Sequence, residues 1–130
     1  MDASTTASTY RTQQIMTASP EELTMMLYNG AIRFVNESIQ SLEAGNLEKS
    51  NNANIRAQNI VREFMATLDM RYDIAKNLMA LYDYIEYCLI QGNAHKDKSQ
   101  LEQARSMLQE LRDTWAEAMK QVRLAKVVGR

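Results

Sequence analysis

The chain has few of the residues on which catalytic and metal sites are built. Its 130 residues include one cysteine and one histidine, which are too few ligands for a structural zinc site. The residue three positions before His95 is Gly92, so the inward Glu-x-x-His pairs of carboxylate-metal bundles are absent. No glycine-rich phosphate-binding loop occurs. We therefore expect no enzymatic activity, no cofactor and no metal site.

Strong positive charge and long apolar runs are also absent. The formal net charge is −1, which gives no electrostatic attraction to nucleic acid. No stretch approaches the roughly 18 apolar residues that span a bilayer, and residues 1–6 lack the basic and apolar regions of a secretory signal. The sequence predicts no nucleic-acid partner, no membrane insertion and a cytoplasmic location. The lone Cys88 suits a reducing compartment, and we expect it to be a buried, inert thiol.

The single proline, Pro20, lies at a predicted helix start. Ser19 before it can accept a hydrogen bond from an otherwise unpaired backbone N–H. Proline loses no hydrogen bond at the first helical position, and Glu22, three residues after Ser19, completes a capping box. Together these residues predict a firmly fixed helix N-terminus.

After this point the chain has no proline, and apolar residues recur at helical spacing. The pattern predicts four helices, over residues 20–44, 47–70, 72–91 and 98–127. The first is expected to end at Gly45-Asn46 and the third at Gly92-Asn93, which places His95 in a loop. Because the connections are short, neighbouring helices should run antiparallel. We predict an all-α fold, an antiparallel up-down four-helix bundle over residues 19–130.

Residues 1–18 are predicted to form a flexible N-terminal segment, because they are mostly small and polar and too few to build a core. Tyr10 and Ile15 are large apolar residues within it. Two interpretations stay open: a mobile tail with incidental apolar residues, or a flap that covers an apolar surface of the bundle when no partner is bound.

The first predicted helix carries more apolar surface than one buried face requires. Its apolar arc covers about 240°, against the roughly 100° of an ordinary surface helix. One face holds Leu23, Met26, Leu27, Ala31 and Phe34, and a second holds Tyr28, Ile32, Val35 and Ile39. The second and third helices add Val61, Met65, Met79, Tyr82 and Ile90 outside their main rows. Either the first helix is buried on two sides, or the surplus lines a groove for a partner.

The third and fourth helices each carry a predicted row of core residues. In the third helix the row is Ile74, Leu78, Leu81, Ile85 and Cys88. In the fourth it is Leu101, Ala104, Leu108, Leu111, Trp115, Ala118, Val122 and Ala125. Because Trp115 lies within that row, we predict that its side chain is buried and its indole N–H is paired.

Several short segments form a recognisable series along the chain. The first is Thr-Ala-Ser-Pro-Glu-Glu-Leu at residues 17–23, followed by Met-Leu-Tyr-Asn-Gly-Ala at 26–31. Others are Arg-Ala-Gln-Asn-Ile-Val at 56–61, Leu-Tyr-Asp-Tyr-Ile at 81–85 and Leu-Arg-Asp-Thr-Trp at 111–115. In order and sequence these segments resemble the flagellar secretion chaperones, a family that binds flagellin before export. The resemblance implies a flagellin-specific export chaperone that holds the disordered C-terminal region of flagellin. Such a chaperone would prevent premature polymerisation and assist delivery to the flagellar type III export gate.

The resemblance also implies that an aromatic residue at position 10 and an aliphatic one at position 15 take part in partner contact or groove gating. We expect Arg56 and Gln58 to form a polar pair on the helix surface that contacts neighbouring backbone or the partner. The predicted partner-binding residues are Tyr10, Ile15, Leu23, Leu27, Tyr28, Ile32, Arg56, Gln58, Val61, Met65, Met79 and Tyr82. A weak homodimer is a further predicted association. The alternative function is a structural helical bundle that self-associates through the apolar surplus of its first helix.

Overall fold

The computed structural model describes residues 3–129, with side chains described from residue 6 onwards. Over that range the chain is all-helical, with five helices and no strand. The helices are α1 (Ala3–Thr17), α2 (Pro20–Glu43), α3 (Leu47–Thr67), α4 (Asp73–His95) and α5 (Lys98–Val128). None of them is long and apolar enough to cross a membrane, within the described range.

Helices α2 to α5 form a closed ring of packed neighbours, which we call the helical core. Helix α2 packs against α3 and α5, and α4 packs against the same two helices. Lys98 at the start of α5 contacts Glu43 at the end of α2, whereas Trp115 lies near the start of α2, where its indole N–H donates to the Glu21 carbonyl. These two contacts show that α2 and α5 run in opposite directions.

Helix α1 is the additional helix that the sequence pattern did not predict. All its described side chains are exposed, so it has no buried apolar row from which it could have been found. Its hydroxyl groups bond back to the helix backbone, with Thr12 donating to the Ser8 carbonyl at 2.9 Å and Thr17 to the Gln13 carbonyl at 3.0 Å. The N-terminal residues are therefore helical without contributing to the core.

The predicted start of α2 is confirmed. The Ser19 hydroxyl accepts a hydrogen bond from the Glu22 N–H at 3.2 Å, and Pro20 occupies the first helical turn. The helix ends at Glu43, where Gly45 adopts a left-handed φ of 79° and lets the Asn46 N–H reach the Ser41 carbonyl at 2.8 Å. Asn46 then caps α3 by accepting from the Lys49 N–H. A three-residue connection thus closes one helix and opens the next.

The predicted end of the third helix is wrong. Helix α4 continues through Gly92 and Asn93 to His95, so His95 lies in the last helical turn and Lys96 provides the left-handed cap. Gly92 does not end α4 but allows it to pack closely against α5. A Cβ at that position would lie 2.7 Å from the Leu101 Cδ2 atom, so the missing side chain allows α4 and α5 to approach closely.

The predicted apolar rows are partly wrong in α3, α4 and α5. In α5 the last three residues of the predicted row, Ala118, Val122 and Ala125, are exposed. Val61 and Tyr82, expected outside the main rows, are buried, whereas Ile74 and Leu81 are 67% and 41% exposed. Helix α4 carries two apolar rows, and periodicity alone does not say which one faces inward. The Tyr82 hydroxyl, 2.7 Å from that of Tyr28, and Gly92 against α5 identify the inward row.

Polar residues also lie inside the helical core. Ser38 and Ser50 each donate to the other's carbonyl, at 2.9 and 2.8 Å. The amide of the fully buried Asn54 donates to the Leu89 carbonyl at 3.1 Å and accepts from Gln58 at 2.6 Å. These bonds satisfy the buried polar groups, which would otherwise be costly, and they fix how α3 lies against α2 and α4.

Candidate partner-binding groove

A cavity of about 340 Å³ lies between α1, α2 and α3, and we call it the groove. Its floor is apolar and is formed by α2 side chains at the edge of the helical core and by Ile60 of α3. The lining residues are Arg11, Gln14, Ile15, Leu23, Met26, Leu27, Asn29, Gly30, Arg33, Phe34 and Ile60. Leu23, Leu27 and Phe34 are half-buried, so this surface is only partly shielded from water by the chain itself.

Arginines surround the groove. The guanidinium of Arg33 lies 5.1 Å from the centre of the Phe34 ring, and that of Arg56 lies 5.6 Å from the same centre. Both distances are within the range of cation–π attraction. Arg11 lines the groove from α1. The arrangement offers an apolar strip with exposed cationic hydrogen-bond donors at its edges.

The second apolar face of α2 points into the helical core. Tyr28 stacks on Phe64 with ring centres 4.5 Å apart, and Phe64 stacks on Tyr82 at 5.4 Å. The two tyrosine hydroxyls share a hydrogen bond. Burial raises the pKa of both Tyr28 and Tyr82, so both hydroxyls stay protonated at physiological pH, and one donates to the other. This aromatic stack joins α2, α3 and α4.

The twelve predicted partner-binding residues therefore fall into separate places. Ile15, Leu23 and Leu27 line the groove, and Arg56 lies beside it over Phe34. Tyr10 is 69% exposed on α1. Met65 and Met79 are half-buried. The remaining five are buried in the helical core: Tyr28, Ile32, Gln58, Val61 and Tyr82.

Phe34 and Ile60 line the groove but were not among the predicted partner-binding residues. Phe34 was available from spacing, because it continues the row of Leu23 and Leu27 along one face of α2. Ile60 had no such signal. Its contact with the groove depends on how α3 is rotated against α2.

A second cavity, of about 330 Å³, lies between the start of α2 and the later turns of α5. We call it the α2–α5 cleft. Met25, Trp115, Met119 and Val122 are apolar members of its lining, with Glu21 on one side and Arg123 on the other. Trp115 is half-buried and its indole N–H donates to the Glu21 carbonyl at 3.2 Å. The predicted pairing of the indole is confirmed, but the side chain is only partly buried.

The described side chains meet the requirements of neither a metal site nor a reactive thiol. Among residues 3–129 no group of three or more histidine, cysteine, aspartate or glutamate side chains is placed to hold a metal ion. Cys88 is buried, as expected, and burial raises its pKa and keeps it a thiol. The groove and the α2–α5 cleft are the two cavities described, and each is an apolar surface with charged side chains at its edges.

Comparison with known proteins identifies a family to which the chain is similar. A family model described as flagellar protein FliS matches residues 3–122. The flagellar secretion chaperone FliS of Bacillus subtilis is 34% identical over 114 residues, which cover 88% of this chain and 86% of that protein. The protein of the same name from Salmonella typhimurium is 33% identical over 104 residues, covering 78% and 77%. That from Escherichia coli is 26% identical over 108 residues, covering 81% and 79%.

The match extends over the groove and all of the helical core except the last turns of α5. The similarity is therefore not confined to one helix or one short motif. From the extent of the family match, and from relatives above 30% identity that share most of its length, the chain belongs to the FliS family of flagellar proteins.

Proposed function

We propose that this chain is a flagellin-specific, cytoplasmic export chaperone. It binds the disordered C-terminal region of flagellin, prevents premature polymerisation and assists delivery to the flagellar type III export gate. The main support for the proposal is the groove, a half-buried apolar strip that the chain covers only with the exposed helix α1. Membership of the FliS family supports the proposal, since relatives in that family are named secretion chaperones.

In this proposal residues 19–130 form an up-down four-helix bundle, and residues 1–18 act as its flap. Helix α1 places Ile15 at the groove but contributes no buried side chain. An element with so little burial costs little to displace. An amphipathic segment of flagellin can then lay its apolar side on Leu27 and Phe34, as in other helix-in-groove complexes.

The positive charge around the groove predicts which residues flank the apolar anchors of the bound flagellin segment. Arg11, Arg33 and Arg56 surround the apolar strip, so acidic or carbonyl groups should flank the apolar anchors of the bound segment. Apolar burial contributes about 25 cal/mol per Å². Ordering a disordered partner offsets much of this gain, so wide contact is expected in place of one deep pocket.

Size-exclusion chromatography and calorimetry with purified flagellin test the proposal. Leu23→Gln places a polar group in the groove, and we expect it to weaken flagellin binding at least tenfold. Leu47→Gln is the matched control, because Leu47 is 50% exposed at the start of α3 and does not line the groove. No complex with the unaltered chain, or equal affinity for both variants, would contradict the proposal.

Deleting residues 1–16 tests the flap. The capped start of α2 and the helical core remain, so helix content per residue should be retained. We expect flagellin affinity to change by at least about 1.4 kcal/mol, which is tenfold. Tighter binding means that α1 competes with flagellin, and weaker binding means that Tyr10 or Ile15 contacts it. Identical affinity would leave α1 without a role in binding.

Self-association is the second candidate function, and the favouring observation is the exposed apolar surface of α4, including Leu81 and Tyr84. A structural oligomer would elute as a large species alone and ignore flagellin. The proposed chaperone is small when free, or at most a weak homodimer, and forms a stoichiometric complex. The same chromatography run therefore separates the two functions.

A further inference from the structure

The last three turns of α5 carry a concentration of positive charge that the rest of the chain lacks. Residues 118–130 hold four of the chain's 15 lysines and arginines and none of its 16 acidic residues. The remaining residues are therefore net acidic. Lys120, Arg123 and Lys126 recur every third position, which places them along one side of the helix. One end of an acidic molecule is thus strongly cationic.

The helix dipole accounts for only part of this pattern. A cation stabilises a helix C-terminus within about the last turn, and Lys126 is the basic residue in that turn. Lys120 and Arg123 lie further back. Within the described chain neither they nor Lys126 makes an ion pair. Arg123 and Lys126 line the α2–α5 cleft together with Glu21 and Glu22. Because no ion pair joins these groups, the cations remain able to bind a partner outside the chain.

Exposed aliphatic side chains lie beside these cations. Val122 and Leu124 are 45% and 50% exposed, and Val127 and Val128 are more exposed still. Leu124 and Val128 stand one helical turn apart and form an apolar strip next to the cationic one. No residue after Leu108 in α5 is buried. Val122 lines the α2–α5 cleft, whereas Leu124 and Val128 line neither cavity and are free to meet a partner.

We propose that the last turns of α5 dock on an anionic lipid surface. Cations on one side of a helix and aliphatic residues beside them are the pattern of helices that lie at a membrane interface. Lysine and arginine stems can reach lipid phosphates while the aliphatic strip enters the headgroup layer. A lipid surface offers an anionic headgroup layer with an apolar layer beneath it, and these are the two environments that the cations and the aliphatic strip require. A lipid surface therefore fits better than an acidic protein.

Net charge gives the docking a direction. The acidic remainder of the molecule is repelled by an anionic surface, so the α5 end should approach first. The groove between α1, α2 and α3 involves none of these residues, so a docked molecule keeps that surface free. The inference stands on α5 alone and does not depend on flagellin binding.

Vesicle co-sedimentation tests the proposal with the full chain. We expect binding to phosphatidylcholine vesicles that contain phosphatidylglycerol, weaker binding in high salt, and none to phosphatidylcholine alone. Each cation contributes about fivefold near an anionic surface, so Lys120→Gln, Arg123→Gln and Lys126→Gln together should lower partitioning by about a hundredfold. A matched triple variant, Lys49→Gln, Lys76→Gln and Lys96→Gln, has the same net charge and should bind much more tightly than the α5 variant.

A third variant examines the apolar strip. Leu124→Gln with Val128→Gln keeps every cation, and docking on lipid predicts reduced partitioning. Failure of the unaltered chain to bind anionic vesicles would overturn the proposal, as would equal binding by the two triple variants or no effect of the apolar variant. Retention on polyglutamate without vesicle binding would assign the surface to an acidic protein and would likewise overturn it. Circular dichroism of each variant checks that the helices are retained.

Discussion

The two halves of α5 share one sequence pattern but have different surroundings. Leu101, Ala104 and Leu108 in the first half are at most 1% exposed. Val122 and Ala125 continue the same spacing in the second half, and both are exposed. The helix has 31 residues against 24 in α2, so at about 1.5 Å per residue it is roughly 10 Å longer than its antiparallel neighbour. Periodicity identifies an apolar row, but burial requires a neighbour of matching length.

The largest expected effect comes from truncating the first half. Leu108→Ala removes a fully buried side chain from the core, and we expect a loss of about 2–5 kcal/mol in the free energy of unfolding. Val122→Ala removes a similar apolar group from the exposed half and should change stability by less than about 0.5 kcal/mol. Urea titrations of both variants make the comparison. Equal losses would show that the two halves are not differently packed.

Gly92→Ala tests the close approach of α4 to the first half of α5. The added Cβ would meet the Leu101 side chain at 2.7 Å, and we expect a cost of about 1–3 kcal/mol from overpacking. Gly30→Ala is the control, since its Cβ would lie 3.5 Å from Ile60 Cδ1. There, higher helix propensity should stabilise the chain by up to about 1 kcal/mol. Thermal midpoints that move in the same direction would refute this account.

Trp115→Phe probes the boundary between the two halves. The substitution keeps an aromatic ring but removes the indole N–H that donates to the Glu21 carbonyl. One hydrogen bond contributes about 0.5–1.5 kcal/mol, so we expect a loss within that range by chemical denaturation. Because Trp115 is half-buried, the larger loss expected for a fully buried tryptophan should not occur.

The smallest effect concerns the cap that starts α5. The hydroxyl of Ser99 donates to the Asp97 carboxylate at 2.7 Å, and this bond, more than any other contact, lowers the pKa of Asp97. The folded state thus favours the charged carboxylate. Its contribution is present above the ordinary pKa of about 3.9 and is lost as pH falls through the lowered folded value. Asp97→Asn should remove that dependence, so the difference in thermal midpoint between the two proteins should shrink in acid.

Sequence reasoning located helices where local chemistry acts within a few residues. The Ser19-Pro20 start and the Gly45-Asn46 connection depend on side-chain and backbone bonds inside one turn, and both were predicted. The end of α4 was not predicted correctly, because Gly92 is required for packing against Leu101 of another helix and does not end its own helix. Helix α1 was missed because it buries nothing, so its sequence carries no periodic signal.

The candidate groove was predictable in part for the same reason. Leu23 and Leu27 lie on one face of α2 at helical spacing, and that face lines the groove. Tyr28 and Tyr82 are equally apolar in sequence, yet they form the core stack with Phe64. Spacing assigns residues to a face, but only the neighbouring helix decides whether that face is core or surface.

The sequence by itself determined the all-helical class, the capped start of α2 and the amphipathic character of each core helix. These follow from interactions between residues at most four positions apart. Tertiary structure alone decided which apolar row of α4 faces inward, which face of α2 lines the groove, and where α5 extends beyond the ends of the helices packed against it. Those outcomes depend on the rotation and relative length of helices that are distant in the chain. A local sequence pattern determines neither of these quantities.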